Sequence, residues 1–174
     1  EGVLVFVDFY VVVNRIWRGD LVAAKRVACD VAEMARQLGA EFPTMLSLVL
    51  QAWLAVYDGA EDDARLVVAD AIDASKRNGT AWHEDWALTA LGLLEVSLGN
   101  YAAAVDALQP LLSRHAAEST EISAAAHLPD VVEALTALGR VDEAEPLVDA
   151  LERNGRRLDR PWMLAVGARC RALV

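Results

Sequence analysis

Cysteine is scarce in this sequence, and the cysteines that are present lie far apart. Cys29 and Cys170 are the two cysteines among 174 residues, and neither belongs to a CxxC pair or has a histidine nearby. Isolated thiols of this kind are typical of a reduced compartment. We therefore expect two free thiols in a cytoplasmic protein, with no metal bound to them.

Positive charge and long apolar segments are also in short supply. Sixteen Lys and Arg stand against 26 Asp and Glu, which gives a formal net charge of −10. Such a field repels phosphate backbones and anionic lipid headgroups. The apolar stretch from Val3 to Val13 contains Asp8 and ends well short of the roughly 20 residues that span a bilayer. We expect neither nucleic-acid binding nor membrane insertion.

Motifs for catalysis or cofactor binding are missing as well. The chain has no GxxxxGK[ST] and no GxGxxG, which are the glycine patterns that hold phosphates. His83, His115 and His127 lie in separate predicted helices, without a ligand partner at i+3 or i+4, so each is expected to be solvated or satisfied. The acidic pair after His83 fits the first turn of a helix. We expect no enzyme activity, no catalytic residue and no cofactor.

An internal repeat is the strongest feature that the sequence does contain. Its first column is a glycine at every fortieth position: Gly19, Gly59, Gly99 and Gly139. Five positions after each glycine comes an alanine: Ala24, Ala64, Ala104 and Ala144. Twenty-three positions after each glycine comes a large apolar residue: Phe42, Trp82, Ile122 and Trp162. Three columns in one register indicate a repeated structural unit.

Each column has a physical role in a pair of helices. Glycine closes a helix because it adopts the left-handed conformation at little cost. Alanine early in the next helix lets two antiparallel helices approach closely. The bulky residue then opens the following helix and is predicted to fill the gap between successive hairpins, which must stack to bury their apolar faces.

These signals predict an all-α, TPR-like superhelix of four 40-residue helix pairs in a single domain, residues 1–174. The repeats cover 2–39, 42–79, 82–118 and 122–158, and a further helix begins within 160–174. The first helix of each pair is predicted at 2–18, 42–58, 82–98 and 122–138. The second is predicted at 20–38, 60–78, 100–116 and 140–154.

Two stretches test this register. Pro43 and Pro161 are placed at helix starts, where proline is tolerated, whereas Pro129 predicts a kink or break between Ala126 and Asp130. The valine-rich segment Val3 to Val13 has the propensity of a β-strand. We nevertheless predict a helix there, because a lone strand would have no partner in the chain.

A ligand face is predicted from polar residues on the first helix of each pair, which would line the concave surface. Thr44, Ser47 and Gln51 share one helix face, and residues of the neighbouring repeats occupy the matching register. Trp17 and Trp86 lie outside the repeat columns and either line a groove or pack between helices. The candidate residues are Arg15, Thr44, Ser47, Gln51, Glu84, Trp86 and Glu95. The alternative is a solvated inner face without a dedicated ligand.

Several phrases of the chain resemble the central region of large ATP-dependent LuxR-type transcriptional regulators of the maltose-activator class. They are LPDVVEAL at 128–135, LGRVDEAEPLVD at 138–149, RPWMLAVGARCRAL at 160–173, and the GD…AA…ARQLG phrase within 19–39. The resemblance implies a helical-repeat sensor between a nucleotide-binding module and a helix-turn-helix, neither of which this sequence contains.

That resemblance implies a regulatory role in which the arm receives a protein or small-molecule effector on its concave face and couples it to ATPase and DNA-binding domains. The alternative is a TPR scaffold that docks a peptide or protein without a transcriptional role. The chain appears as a segment with apolar terminal faces around Val3 to Val13 and Trp162 to Val174, so we also expect self-association there.

Overall fold

A computed structural model of the protein describes residues 2–114 and 126–174, and every regular element in those ranges is an α-helix. His115, Ile122 and the other residues of 115–125 lie outside the described residues. The helices are α1 Gly2–Trp17, α2 Leu21–Leu38, α3 Glu41–Asp58, α4 Glu61–Arg77, α5 Ala81–Ser97, α6 Tyr101–Arg114, α7 Leu128–Ala137, α8 Val141–Leu158 and α9 Pro161–Arg171. No helix within these described ranges is long and apolar enough to cross a membrane.

The turns between helices repeat at half the interval that the sequence suggested. Gly19, Gly59, Gly99 and Gly139 have φ values of 76°, 72°, 76° and 73°, as predicted for helix-closing glycines. Gly39 and Gly79, with φ of 59° and 64°, close helices in the same way midway between them. Asp159, at φ 50°, occupies the next such position. The left-handed turn therefore recurs every 20 residues along the described chain.

The alanine column is buried throughout. Ala24, Ala64, Ala104 and Ala144 each have 0% of their surface exposed, in the first turn of α2, α4, α6 and α8. A methyl group at this point allows the two helices of a hairpin to approach closely. The prediction that a small buried residue lies early in the second helix of each pair is confirmed.

The chain divides into two compact units, Glu1–Ala90 and Leu91–Val174. In the first unit α1 packs on α2 and α3, and α3 also packs on α2 and α4. Its core contains the fully buried Val5, Phe9, Leu46 and Val49. In the second unit α7 packs on α6, α8 and α9, and α8 packs on α9.

The first helix and the proline positions follow the predictions. The valine-rich segment is helical from Gly2 to Trp17, so tertiary packing overrides its β-propensity. Pro161 opens α9, and Pro43 lies in the first turn of α3. The described part of the helix predicted at 122–138 begins at Leu128, after a turn at residues 126–127, and Pro129 lies in its first turn. Residues 122–125 lie outside the described residues, so the predicted kink or break within a longer helix stays a prediction.

Two helix-level predictions are corrected by the structure. The helix expected at 140–154 continues to Leu158, since Asn154 and Gly155 stay helical and Arg156 and Arg157 favour the negative end of the helix dipole. The bulky column is not fully buried at its described positions: Phe42 is 45% exposed, whereas Trp82 and Trp162 are half-buried. The buried position is the next residue along, represented by Pro43, His83 and Met163.

Candidate functional site

An exposed apolar face distinguishes α1 from the other described helices. One side of α1 is buried in the first unit through Val5, Phe9, Val12, Val13 and Ile16. The opposite side is also apolar, and α1 contributes seven of the fourteen large hydrophobic side chains that are exposed in the described chain: Val3, Leu4, Phe6, Val7, Tyr10, Val11 and Trp17. An amphipathic surface helix would carry polar residues there. The outer side of α1 is therefore a candidate interaction surface.

A groove of about 470 Å³ runs along this surface and changes character along its length. Its apolar part is formed by Phe6, Val7, Tyr10 and Val11, and its polar end by Asn14, Arg15 and Arg18. We call this set of seven residues the α1 groove. No carboxylate is among its lining residues, although the protein carries a net charge of −10. The groove thus combines an apolar floor with a cationic end.

Aromatic packing fixes the position of α1 within the first unit. The ring centroid of Phe6 lies 6.1 Å from that of Phe42 on α3 and 6.0 Å from that of Trp82 on α5. Phe9 approaches Trp82 at 5.1 Å and Trp86 at 5.4 Å. The Phe9–Trp86 pair is edge-to-face and the other three pairs are tilted, and ring contacts at these distances add to the stabilisation from burial. The floor of the groove therefore rests on a layer of packed aromatic rings.

The aromatic layer contains a buried histidine, which corrects the expectation that His83 is solvated or satisfied. His83 is 2% exposed, and its ring lies edge-on to Phe42 and Trp82 at centroid distances of 5.3 and 5.0 Å. Neither ring nitrogen has a hydrogen-bond partner among the described residues. Burial lowers the pKa of His83 below its usual value, because the charged imidazolium would lose its hydration.

Arg15 and Glu95, which were predicted to share a register on the inner face, both contact the turn that follows their helix. Arg15 donates from Nη1 to Asp20 Oδ2 at 2.9 Å, and Asp20 also caps α2 by accepting from the Ala23 amide. Glu95 and Asn100 are the counterparts of Arg15 and Asp20 two repeats further along the chain, and there Asn100 Nδ2 donates to Glu95 Oε2 at 2.9 Å. Glu95 is 6% exposed, whereas Arg15 remains exposed and lines the α1 groove.

Two of the three residues on the predicted polar face of α3 contact each other. Gln51 Nε2 donates to Ser47 Oγ at 3.0 Å, whereas the Thr44 hydroxyl donates to the backbone carbonyl of Ala40 at 2.9 Å. Thr44 and Gln51 are exposed, but Ser47 is only 5% exposed. The surface available to a ligand on α3 is therefore narrower than the spacing suggested.

On α5, Glu84 is half-buried and Trp86 is 3% exposed. The Trp86 side chain packs against Phe9 and Trp53, with ring centroids 5.4 and 5.6 Å away. The structure thus places Trp86 in inter-helix packing, which was one of the two roles considered for it. Trp17, the other tryptophan outside the columns, is 36% exposed.

Asn14 and Arg18 were not among the predicted site residues. The sequence contains a signal that identifies them: apolar residues occur on both sides of the 2–17 helix, and the outer stripe ends in Asn14, Arg15 and Arg18.

Among the described residues, no group of three His, Cys, Asp or Glu side chains is placed to hold a metal ion.

No protein-family model, curated protein or solved structure matches this chain.

Proposed function

We propose that this chain is a TPR-like helical-repeat domain that binds a protein segment or a small effector and has no catalytic role. Helical hairpins joined by left-handed turns every 20 residues, with a buried alanine in the second helix of each, support this class. Stacked hairpins expose extended surfaces that such domains use for binding.

The observation that carries the binding role is the exposed apolar face of α1 and its groove. Monomeric proteins rarely expose a contiguous apolar surface without a use for it. A second surface is the polar face of α3, where Thr44 and Gln51 are exposed and Gln51 contacts Ser47. We propose that a small effector binds on this α3 face and that a protein segment binds on the α1 face.

For the biological setting, we propose the sensor arm of a bacterial LuxR-type regulator, coupled to ATPase and DNA-binding domains. The phrases at 128–135, 138–149 and 160–173 support this assignment. Cys29 and Cys170 are both free thiols, which is consistent with a proposed cytoplasmic location. The alternative is a scaffold without a transcriptional role.

The coding sequence around this segment separates the two settings. A phosphate-binding loop encoded upstream or a helix-turn-helix encoded downstream supports the regulator. Flanks that contain only further helical hairpins support the scaffold.

A thermal-shift screen against sugars, nucleotides and peptides tests the effector role. We expect one class to raise the melting temperature, because a ligand that binds the folded state stabilises it by mass action. Gln51→Ala should remove that shift, whereas Gln109→Ala, an exposed glutamine of α6, should retain it. A shift that survives Gln51→Ala would exclude the α3 face as the site.

Controls with ATP and duplex DNA test whether this chain itself carries the ATPase or DNA-binding activity of a regulator. The chain alone should neither hydrolyse ATP nor retard duplex DNA at physiological salt, since its net charge of −10 opposes phosphate binding. Either activity would contradict the proposed binding role.

A further inference from the structure

The outer face of α1 has the spacing of a helix-packing seam. Val3, Val7, Tyr10, Asn14 and Trp17 follow one another at intervals of four, three, four and three residues. This is the pattern of a and d positions, which present a continuous stripe to a second helix. At a rise of about 1.5 Å per residue the seam is about 21 Å long, which suits a helix better than a compact ligand.

The repeat itself shows what covers this face elsewhere in the first unit. Forty residues after the seam positions Val7 and Tyr10 are Ser47 and Leu50 of α3. Val7 and Tyr10 are 51% and 42% exposed, whereas Ser47 and Leu50 are 5% and 1% exposed. Both α1 and α2 pack on α3. Val7 and Tyr10 are therefore exposed at positions whose counterparts on α3 are covered, whereas at Trp17 the counterpart Tyr57 is also exposed, at 38%.

The two arginines at the C-terminal end of the seam indicate the charge that a partner helix should carry. Arg15 already pairs with Asp20, but the Arg18 side chain forms no ion pair with any described residue. Two copies of α1 packed antiparallel about Val11 would place Arg18 opposite the apolar Leu4 of the other copy. A parallel pair would oppose Arg18 with itself. A second copy thus leaves the Arg18 guanidinium without a complement, whereas a carboxylate on another helix provides one.

We propose that the α1 groove docks an amphipathic α-helix of a partner protein, whose apolar seam packs on Val7 and Tyr10 and whose terminal Asp or Glu pairs with Arg18. This inference rests on the proposed binding role and gives it a partner of defined chemistry. Apolar contact supplies most of the affinity, and the carboxylate sets the orientation and the preference among partners.

The test uses the full chain and three fluorescein-labelled 21-residue helical peptides, followed by anisotropy at nanomolar peptide and physiological salt, which screens the chain's net charge of −10 beyond about 8 Å. All three carry leucine at the a and d positions. The acidic probe has glutamate beside the seam in both end heptads, so that either orientation brings a carboxylate to Arg18. The neutral and basic probes have glutamine or lysine at those positions.

We expect the acidic probe to bind about threefold more tightly than the neutral one, as exposed ion pairs are weak, and the basic probe to bind least. Arg18→Glu should reverse this order. Val7→Asp should weaken all three by about tenfold or more, because it places a charge in the apolar contact. Val22→Asp, at an 85% exposed valine of α2, is the matched control and should bind as the parent chain does.

Three results would overturn the inference. Undiminished binding by Val7→Asp would place the peptide elsewhere, and an unchanged probe order in Arg18→Glu would remove the role of Arg18. If no probe binds, the α1 groove does not dock a helix of this chemistry, and loss of concentration-dependent mass in light scattering for Val7→Asp would then assign the face to a second copy. In each case a ligand whose thermal shift depends on Gln51 would still support the proposed effector role. Failure of helix docking on α1 can therefore be distinguished from failure of effector binding on α3.

Discussion

The indole nitrogen of Trp53 donates a hydrogen bond to the backbone carbonyl of Trp86 across a separation of 33 residues, at 3.0 Å. Trp53 belongs to α3 and Trp86 to the first half of α5, so the bond joins two helices of the first compact unit. Both side chains are almost fully buried, and their rings meet edge-to-face at 5.6 Å. A buried bond of this kind orders the helices beneath the α1 groove.

Trp53→Phe should lower the free energy of unfolding by about 2 kcal/mol, through a lost hydrogen bond and an unfilled volume. Urea denaturation followed by circular dichroism measures this change. Trp17→Phe is the control, and because Trp17 is 36% exposed it should cost less than about 0.5 kcal/mol. Equal losses in the two variants would show that the Trp53 bond contributes nothing specific.

The alanine column should not tolerate larger side chains. Ala64→Leu is expected to destabilise the chain by about 1–3 kcal/mol, because Ala64 is 0% exposed where α4 approaches α3. Ala69→Leu places the same group at an exposed position of the same helix and should have little effect. Comparison of the two urea midpoints tests the prediction, which fails if Ala64→Leu matches its control.

His83 should make the first unit sensitive to acid. Because burial lowers the pKa of His83 in the folded state, the unfolded chain binds more protons below its ordinary value of about 6.5. Stability should therefore be lost as pH falls through and below that value. Urea titrations between pH 5 and 7.5 should show a steeper loss for the parent than for His83→Leu, which has no proton to bind. Parallel pH profiles would contradict a buried neutral imidazole.

Asp130 should produce the opposite dependence in the second unit. Burial raises the pKa of Asp130 from 3.8 to about 7, while Arg169 partly opposes the shift and Glu133 reinforces it. The folded chain then binds more protons than the unfolded chain between these values, so the contribution of Asp130 to stability is lost as pH rises through that window. Asp130→Asn should gain stability relative to the parent between pH 4 and 7, and the difference should level off above about pH 7.5. A difference that does not change with pH would show that Asp130 titrates normally.

Much of the helix layout could be predicted from local patterns. The glycine column indicated the hairpin turns because a left-handed residue is required there, and glycine has the least strain in that conformation. Gly39 and Gly79 carry the same signal, and Asp159 follows it without glycine. Asp159 shows that the position of the turn, more than the residue type, is what the repeat preserves.

The candidate site was harder to predict because helical spacing identifies a face but not what covers it. Ser47 and Gln51 were placed together correctly, and their side chains are hydrogen-bonded. Glu95, in contrast, is buried against its own hairpin turn through Asn100. Its polarity predicts a solvent-facing ligand position, whereas its carboxylate accepts a hydrogen bond from the side-chain amide of Asn100, an exposed residue of that turn.

The sequence by itself determined most of the turns between helices and the buried alanines that follow them, because turns and close approaches depend on residue types a few positions apart. The columns that begin at Gly19 and Ala24 are examples. Only the tertiary structure decided which apolar residues are covered. Phe9 and Tyr10 are adjacent in α1, yet Phe9 is 0% exposed beneath Trp82 and Trp86 while Tyr10 is 42% exposed. Burial depends on the neighbouring helix, and the outer face of α1, which stays exposed in the described structure, is where we propose that a partner binds.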